Sequence, residues 1–154
     1  MESSLERLRT LLGDGKVSTN PSVLEQHGRD ENFPEVRPPL AVAYAESSTD
    51  VQSILQWCRS ERVPLIPFGA GTSLEGALVP ASAGVSVLSL DLTRMNKVVS
   101  IQPENFLAVV QPGLTRTALN ESLKYTGLFF PVDPGANPFS WRRSQLATSS
   151  TRKS

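Results

Sequence analysis

The sequence predicts an α+β fold, on three observations taken along the chain. A short apolar run, an amphipathic segment and a second apolar run fill residues 40–67, which is the pattern of a strand–helix–strand unit. Several strand-like segments follow at residues 85–110 without a helical pattern between them. One more helical pattern then leads into a last extended segment at residues 128–132. With 154 residues, the chain has the length of about one domain.

Composition and charge argue against several classes of function. The 15 basic residues equal the 15 acidic residues, so no overall field attracts nucleic acid or an anionic membrane. No apolar run approaches the roughly 18 residues of a membrane span, and the amino terminus does not have the pattern of a signal peptide. We therefore expect a cytoplasmic protein, or one attached to a membrane peripherally through partner proteins. One cysteine and one histidine exclude an internal disulfide and make a metal site improbable.

The first 36 residues predict an amino-terminal helix followed by an approach segment. Leucines recur at three- and four-residue steps along one helical face: Leu5, Leu8, Leu11 and Leu12. Gly13 would end this helix. Residues 18–39 contain four prolines and several charges, so we expect irregular backbone there, apart from a turn of helix at residues 22–26.

A strand–helix–strand unit is predicted from residue 40 onward. Residues 40–44 form the first apolar run, and residues 63–67 form the second. Between them, Thr49 and Gln52 have the spacing of a capping box at the start of a helix that continues to about residue 60. Cys58 lies on the apolar face of this helix, which favours a packed core thiol over a reactive one.

The remaining elements are predicted from short apolar runs and one amphipathic segment. The runs predict strands at residues 85–90, 98–101, 106–110 and 128–132. A helix is expected at residues 116–125, with Thr115 as its amino-terminal cap and Gly127 as its stop.

The segment IPFGAGTSLEGA follows the second strand and contains three glycines, Gly69, Gly71 and Gly76. Glycine loses more backbone entropy on folding than other residues, so this density points to positive φ angles or to close approach of a ligand. Successive amides in such a loop can form a nest for an anion, and the hydroxyls of Thr72 and Ser73 add donors. The glycine spacing does not match the dinucleotide-binding G-x-G-x-x-G pattern. On the residues alone, anion or cofactor binding and a structural turn are equally favoured.

Several longer motifs resemble one family of flavoproteins. In chain order they are RDENFPEVRPPLAVAYAESSTDVQ, PFGAGTSLEGAL, LDLTRMNKV, PENFLAVVQPGLTRTALN and GLFFPVDPGAN. Together they are similar to the amino-terminal part of the flavin-dependent D-lactate dehydrogenases and glycolate oxidases (GlcD-like), within the vanillyl-alcohol-oxidase group. The resemblance implies an incomplete FAD-binding domain of the p-cresol methylhydroxylase (PCMH) type at residues 37–137. Its fold would have two small α/β subdomains that hold FAD between them.

The resemblance also implies which residues bind FAD. The loop around the pyrophosphate would be formed by Pro67, Phe68, Gly69, Ala70, Gly71, Thr72, Ser73 and Gly76. A second loop near the cofactor would be formed by Gln111, Pro112 and Gly113, and a third along the flavin by Asp133, Pro134, Gly135 and Ala136. Some relatives tether FAD through a histidine in the first loop. Residues 70–73 contain none, which implies non-covalent FAD.

The single histidine, His27, lies far from these loops in the sequence. A role as general base competes with that of a surface or fully hydrogen-bonded histidine, and the second interpretation is favoured.

Residues 138–154 depart from the family pattern. In similar enzymes a glycine-rich run continues after the third loop, whereas this chain continues as PFSWRRSQLATSSTRKS. We interpret this basic tail as aberrant sequence from a shifted reading frame, in preference to a naturally distinct terminus, a mis-assigned gene boundary or a nucleic-acid-binding arm.

The resemblance implies part of an oxidoreductase that oxidises a D-2-hydroxy acid, D-lactate or glycolate, by hydride transfer to FAD. The substrate-orienting residues of that family follow the matched segment, so no residue of this chain is assigned a catalytic role. We therefore expect this chain to be catalytically inactive alone, because the substrate domain is missing. The alternative is a non-catalytic truncated fragment with little or no cofactor binding.

Overall fold

The computed structural model of the protein describes residues 2–30 and 33–132, together with the backbone of residues 151–152. Contacts between residues divide the chain into two compact units, Met1–Arg94 and Met95–Ser154. The described part of the first unit combines helices with one four-stranded sheet, and that of the second unit combines a helix with two two-stranded sheets. The predicted α+β class is therefore confirmed.

The first unit contains a four-stranded sheet in the order β1-β2-β4-β3. Its strands are β1 (Val17–Ser18), β2 (Ala41–Tyr44), β3 (Leu65–Phe68) and β4 (Leu88–Asp91). Both β2 and β3 run parallel to β4, and β1 pairs with β2 in the antiparallel sense. All four residues of β4 are buried, as is typical of a central strand in a parallel sheet. The carboxyl ends of β2, β3 and β4 therefore meet at one edge.

Among its described residues, the first unit has three helices: α1 (Glu2–Leu12), α2 (Pro21–His27) and α3 (Ser48–Glu61). The indole N–H of Trp57 in α3 donates a 3.0 Å hydrogen bond to the backbone carbonyl of Ser4 in α1. The predicted amino-terminal helix is thereby held against the core of the unit.

The helix α3 begins earlier than the sequence predicted, and Thr49 is not its cap. Ser47 is the cap: its hydroxyl accepts a 3.1 Å hydrogen bond from the backbone N–H of Asp50. The Asp50 carboxylate accepts a 2.9 Å bond from the backbone N–H of Glu46 in return. Ser47 and Asp50 stand three residues apart, as Thr49 and Gln52 do, and they satisfy two backbone donors at the helix start.

The core position predicted for Cys58 is confirmed, since only 6% of this residue is exposed. Burial raises the pKa of the Cys58 thiol to about 11, so the thiol stays protonated and unreactive at neutral pH.

The helix α2 is longer than the single turn predicted at residues 22–26. Asn20 caps it, and Pro21 occupies its first position, where a missing N–H costs nothing. Gly28 ends it, and a Cβ atom there would lie 2.3 Å from the carbonyl oxygen of Arg37. Only glycine allows this close return of the approach segment, which packs against the end of α2.

The described part of the second unit contains an antiparallel hairpin and one helix. Its strands β5 (Val98–Gln102) and β6 (Leu107–Val110) are joined by a short 3₁₀ turn at Pro103–Asn105. The strands predicted at residues 63–67, 98–101 and 106–110 differ from the observed strands by one or two residues at their ends. The strand predicted at residues 85–90 starts three residues before β4 and ends one residue before its end. One face of the hairpin packs on a buried cluster formed by Leu114, Leu119, Leu123, Leu128 and Phe130.

The helix α4 (Arg116–Leu123) follows its predicted cap. The Thr115 hydroxyl accepts a 3.2 Å hydrogen bond from the backbone N–H of Ala118. The helix ends two residues before the predicted end, and Gly127 has a positive φ of 75°. The extended segment predicted at residues 128–132 contributes only a short strand, β7 (Leu128–Phe129), which pairs with β8 (Thr151–Arg152).

Candidate functional site

The glycine-rich loop starts where β3 ends, at the edge where the carboxyl ends of the parallel strands β2, β3 and β4 meet. Phe68 is the last residue of β3, and its carbonyl accepts a 2.9 Å hydrogen bond from the backbone N–H of Leu92. Gly71 and Gly76 have φ angles of 71° and 75°, a region that glycine occupies without strain. Glu75 between them also has a positive φ, 63°. The loop therefore needs the backbone freedom that its glycine content predicted.

Two aromatic rings lie next to glycines of the loop: the Phe68 ring is next to Gly71, and the Phe33 ring is next to Gly76. A Cβ atom on Gly71 would lie 2.9 Å from Cζ of Phe68, and a Cβ atom on Gly76 would lie 3.1 Å from Cδ2 of Phe33. Such distances are shorter than ordinary contacts, so larger residues at either position would displace a ring or the backbone. Glycine at these two positions therefore lets the backbone of the loop pass close to both rings.

The loop offers neutral hydrogen-bond donors. Within the described part of the chain, no backbone acceptor is paired with the N–H groups of Gly69, Gly71, Thr72 or Ser73. Gly69, Gly71 and Thr72 are half-buried, and Ser73 is exposed. No lysine or arginine occurs at residues 63–93, so the donors that the loop itself supplies are backbone amides and hydroxyls rather than cations. This donor set fits a pyrophosphate, whose oxygens accept from convergent backbone N–H groups.

His27 lies beneath this loop, although the sequence separates them by some forty residues. As the last residue of α2, it is only 5% exposed. Its Nδ1 is 2.8 Å from the Val23 carbonyl oxygen, and its Nε2 is 3.0 Å from Oδ2 of Asp91. Its ring centroid lies 4.0 Å from that of Phe68. The prediction of a hydrogen-bonded histidine is confirmed, but no local sequence signal indicated its place under the loop.

Charged groups also meet at the carboxyl edge of the sheet. The pKa of Tyr44 is raised above its usual value, mainly by burial and secondly by the negative charge of Asp91. The positive charge of Arg94 lowers this pKa but does not outweigh the other two effects. The guanidinium of Arg94 lies 4.3 Å from the Tyr44 ring centroid and donates a 2.9 Å hydrogen bond to Glu46. This hydrogen bond is the main cause that lowers the pKa of Glu46. The arginine is thus engaged by a carboxylate and an aromatic ring.

The second predicted loop lies in the second unit and uses much of its own hydrogen-bonding capacity there. The backbone N–H and the side-chain oxygen of Gln111 pair with the backbone of Lys97, both at 2.9 Å. The N–H of Gly113 donates to the Met95 carbonyl at 2.8 Å. A contact of Gln111, Pro112 or Gly113 with a cofactor stays a prediction. The third predicted loop, residues 133–136, lies outside the described residues, as does most of the tail.

The described residues contain no group of three or more His, Cys, Asp and Glu side chains that could hold a metal ion. None of the helices in that part of the chain is long and apolar enough to cross a membrane.

Comparison with known families identifies the domain. The family described as "FAD binding domain" matches residues 39–140. The chain belongs to this FAD-binding domain family. The predicted cofactor, FAD, is thereby confirmed, and the matched region of the FAD-binding domain includes the glycine-rich loop.

Individual relatives agree with this assignment. A probable mitochondrial D-lactate dehydrogenase from Danio rerio is 42% identical over 137 residues, which cover 89% of this chain and 27% of that protein. The glycolate oxidase subunit GlcD from Bacillus subtilis is 35% identical over 98 residues, which cover 64% of this chain and 20% of that protein.

A solved structure confirms the predicted PCMH-type fold of the FAD-binding domain. The crystal structure of p-cresol methylhydroxylase with substrate bound has a TM-score of 0.71 and 25% identity to this chain. The match covers 80% of this chain and 24% of that one. This chain therefore spans about a quarter of the length of the proteins that it matches.

Proposed function

We propose that this chain provides the pyrophosphate-binding part of the FAD site in an oxidoreductase of D-2-hydroxy acids. The loop after β3 carries the proposal. It lies at the carboxyl ends of three parallel strands, where α/β units bind ligands. Its backbone N–H groups at Gly69, Gly71, Thr72 and Ser73 have no backbone partner among the described residues. Bound FAD would supply the hydride acceptor for oxidation of the substrate.

In this site the chain binds FAD and orients it. The amides of Gly69, Gly71, Thr72 and Ser73 donate to the pyrophosphate, and the positive φ at Gly71 brings the backbone close to it. Pro67, Phe68, Ala70 and Gly76 complete the first loop. Further cofactor contacts come from Gln111, Pro112 and Gly113, and from Asp133, Pro134, Gly135 and Ala136. Residues 70–73 contain no histidine, so the FAD is held without a covalent bond.

The substrate is a small 2-hydroxy acid, D-lactate or glycolate. The names of the two relatives supply this proposal, since one is a probable D-lactate dehydrogenase and the other a glycolate oxidase subunit. The chain covers only 27% and 20% of the length of those proteins. We assign no catalytic residue to this segment and propose that it does not turn over substrate by itself. It functions in the cytoplasm, or at a membrane surface through partner proteins.

We further propose a three-part organisation: residues 1–36 form an amino-terminal helix and an approach segment, residues 37–137 a partial FAD-binding domain of the PCMH type, and residues 138–154 an aberrant basic tail.

A flavin-retention experiment tests the proposed function. The purified chain is incubated with FAD and desalted, and its visible spectrum is recorded before D-lactate or glycolate is added with a redox dye. We expect retained flavin absorbance without reduction of the dye. Dye reduction would contradict the proposed inactivity. Folded protein without flavin would contradict FAD binding and favour the alternative, a non-catalytic fragment. Binding of simple nucleotides without preference for FAD would indicate a general phosphate-binding module.

A further inference from the structure

A buried polar cluster lies directly beneath the glycine-rich loop. We call it the His27 cluster: the side chains of His27, Phe68, Asp91 and Thr93, with the backbone carbonyl of Val23. His27, Phe68 and Asp91 are each at most 5% exposed. Phe68 and Asp91 are paired in register at the ends of β3 and β4, so the cluster occupies the edge from which the loop departs.

Hydrogen bonds fix the orientation of the imidazole ring. The Val23 carbonyl oxygen can only accept, so Nδ1 of His27 carries a proton and donates to it at 2.8 Å. On the other side of the ring, Nε2 lies 3.0 Å from Oδ2 of Asp91, within hydrogen-bonding distance. The other oxygen of Asp91 accepts from the backbone N–H and the hydroxyl of Thr93, at 2.7 and 2.5 Å. A rotation of the ring would break bonds on both of its sides.

The fixed imidazole supports the loop through one aromatic ring. Its plane is tilted by 35° to that of Phe68, with 4.0 Å between the ring centroids. The far end of the Phe68 ring is the atom that a Cβ on Gly71 would meet, at 2.9 Å. Two successive contacts therefore connect the cluster to the proposed pyrophosphate-binding amides. The His27 ring packs on the Phe68 ring, and the Phe68 ring lies next to Gly71.

We propose that His27 is a positioning residue for FAD: it fixes the Phe68 ring, which in turn fixes the backbone at Gly71. This inference rests on the proposed function. His27 acts through Phe68 and not by contact with the cofactor, so its effect falls on the part of FAD that the loop holds. That part is the pyrophosphate, which ADP also contains.

The first test is His27→Phe, which keeps a ring of similar size and removes both hydrogen bonds. We expect the dissociation constants of FAD and ADP to rise by the same factor, about tenfold or more, equivalent to roughly 1.4 kcal/mol. Ile54→Val, at a fully buried position of α3, serves as a control for general destabilisation. Both unfolding free energies are measured in urea. Unchanged affinity in His27→Phe, or an equal loss in the control, would overturn the inference.

The second test separates geometry from charge at Asp91. An asparagine side chain can accept from Thr93 and donate an N–H to Nε2 of a neutral His27, so Asp91→Asn can preserve the arrangement. Asp91→Ala cannot. We expect Asp91→Asn to lose at most about threefold in FAD affinity and Asp91→Ala about tenfold or more, a difference on the scale of one lost buried hydrogen bond. Equal losses of FAD affinity in the two variants would contradict the claim that the hydrogen-bonded arrangement of the His27 cluster supports FAD binding.

A third measurement uses no ligand and remains decisive if the chain does not bind FAD. The backbone N–H groups of Val79 and Leu92 donate to Gly76 and Phe68, each at 2.9 Å. Their hydrogen exchange reports the closed state of the two ends of the loop. We expect His27→Phe to accelerate exchange at both amides by a larger factor than at the amides of α3. Failure of the unmutated chain to bind FAD would reject the proposed function, whereas uniform exchange would reject the role of His27.

Discussion

Replacement of Gly71 by alanine is the sharpest perturbation of the loop, and Gly84 provides a matched control. Gly71 has a φ of 71° and its added Cβ would lie 2.9 Å from the Phe68 ring. Gly84 has a φ of 85° and its added Cβ would meet nothing within 4 Å. Both alanine variants incur the left-handed backbone cost, roughly 1–2 kcal/mol for a residue with a side chain. Only Gly71→Ala adds a steric conflict.

The size of that conflict follows from the distance. An ordinary contact begins at 3.4 Å, so the Phe68 ring or the loop must shift by about 0.5 Å. Forced displacements in a packed region typically cost about 1–3 kcal/mol. We therefore expect Gly71→Ala to lower the free energy of unfolding by about 1–3 kcal/mol more than Gly84→Ala. If the loop moves instead of the ring, part of this cost appears as weaker FAD binding.

Urea unfolding followed by circular dichroism measures the free energy of unfolding, and titration with FAD measures the free energy of FAD binding. The summed loss of these two free energies should be larger for Gly71→Ala than for Gly84→Ala. Equal losses in the two variants would refute the claim that the loop backbone at Gly71 passes close to the Phe68 ring.

Three further predictions concern the supporting structure. Ser47→Ala should lower the free energy of unfolding by about 1 kcal/mol, the usual value of a helix cap, whereas Thr49→Ala should change it by much less; thermal unfolding compares the two. Burial opposes ionisation of Asp50, but hydrogen bonds from Glu46, Lys16 and Ser47 outweigh it and keep its pKa below the usual value. Its ionised form therefore stabilises the fold above the unfolded-state pKa, and this contribution disappears as pH falls through the folded-state pKa. In urea titrations, Asp50→Asn should be less stable than the unmutated chain near neutral pH, with a difference that shrinks in acid. The Cys58 thiol, with a pKa of about 11, should react with a thiol reagent at pH 8 only as fast as the chain unfolds, and rapid labelling of folded protein would contradict its burial.

Local signals predicted the elements and the loop well. The glycines at 71 and 76 are required by positive φ angles, a constraint that acts within one or two residues and is therefore visible in the sequence. The cap at Thr115 is equally local, and it was predicted correctly. The cap of α3 was misplaced because two overlapping pairs of residues, Ser47 with Asp50 and Thr49 with Gln52, have the same spacing, so spacing alone does not distinguish them.

Long-range arrangements were not predictable from one sequence. Strands β2 and β3, which the strand–helix–strand pattern suggests as neighbours, are separated by β4. Strand order depends on contacts between distant segments, whereas periodicity reports only which face of each segment is apolar. The contact between His27 and Asp91 joins residues 64 positions apart, so neither residue alone indicated a cluster beneath the loop.

The central claim is that the loop after β3 holds the pyrophosphate of FAD. Its most direct test is titration of the purified chain with FAD, followed by displacement with ADP or with riboflavin, which lacks phosphate. We predict saturable, stoichiometric binding of FAD that ADP displaces and that riboflavin at the same concentration does not. No saturable binding, or displacement by riboflavin but not by ADP, would contradict the claim.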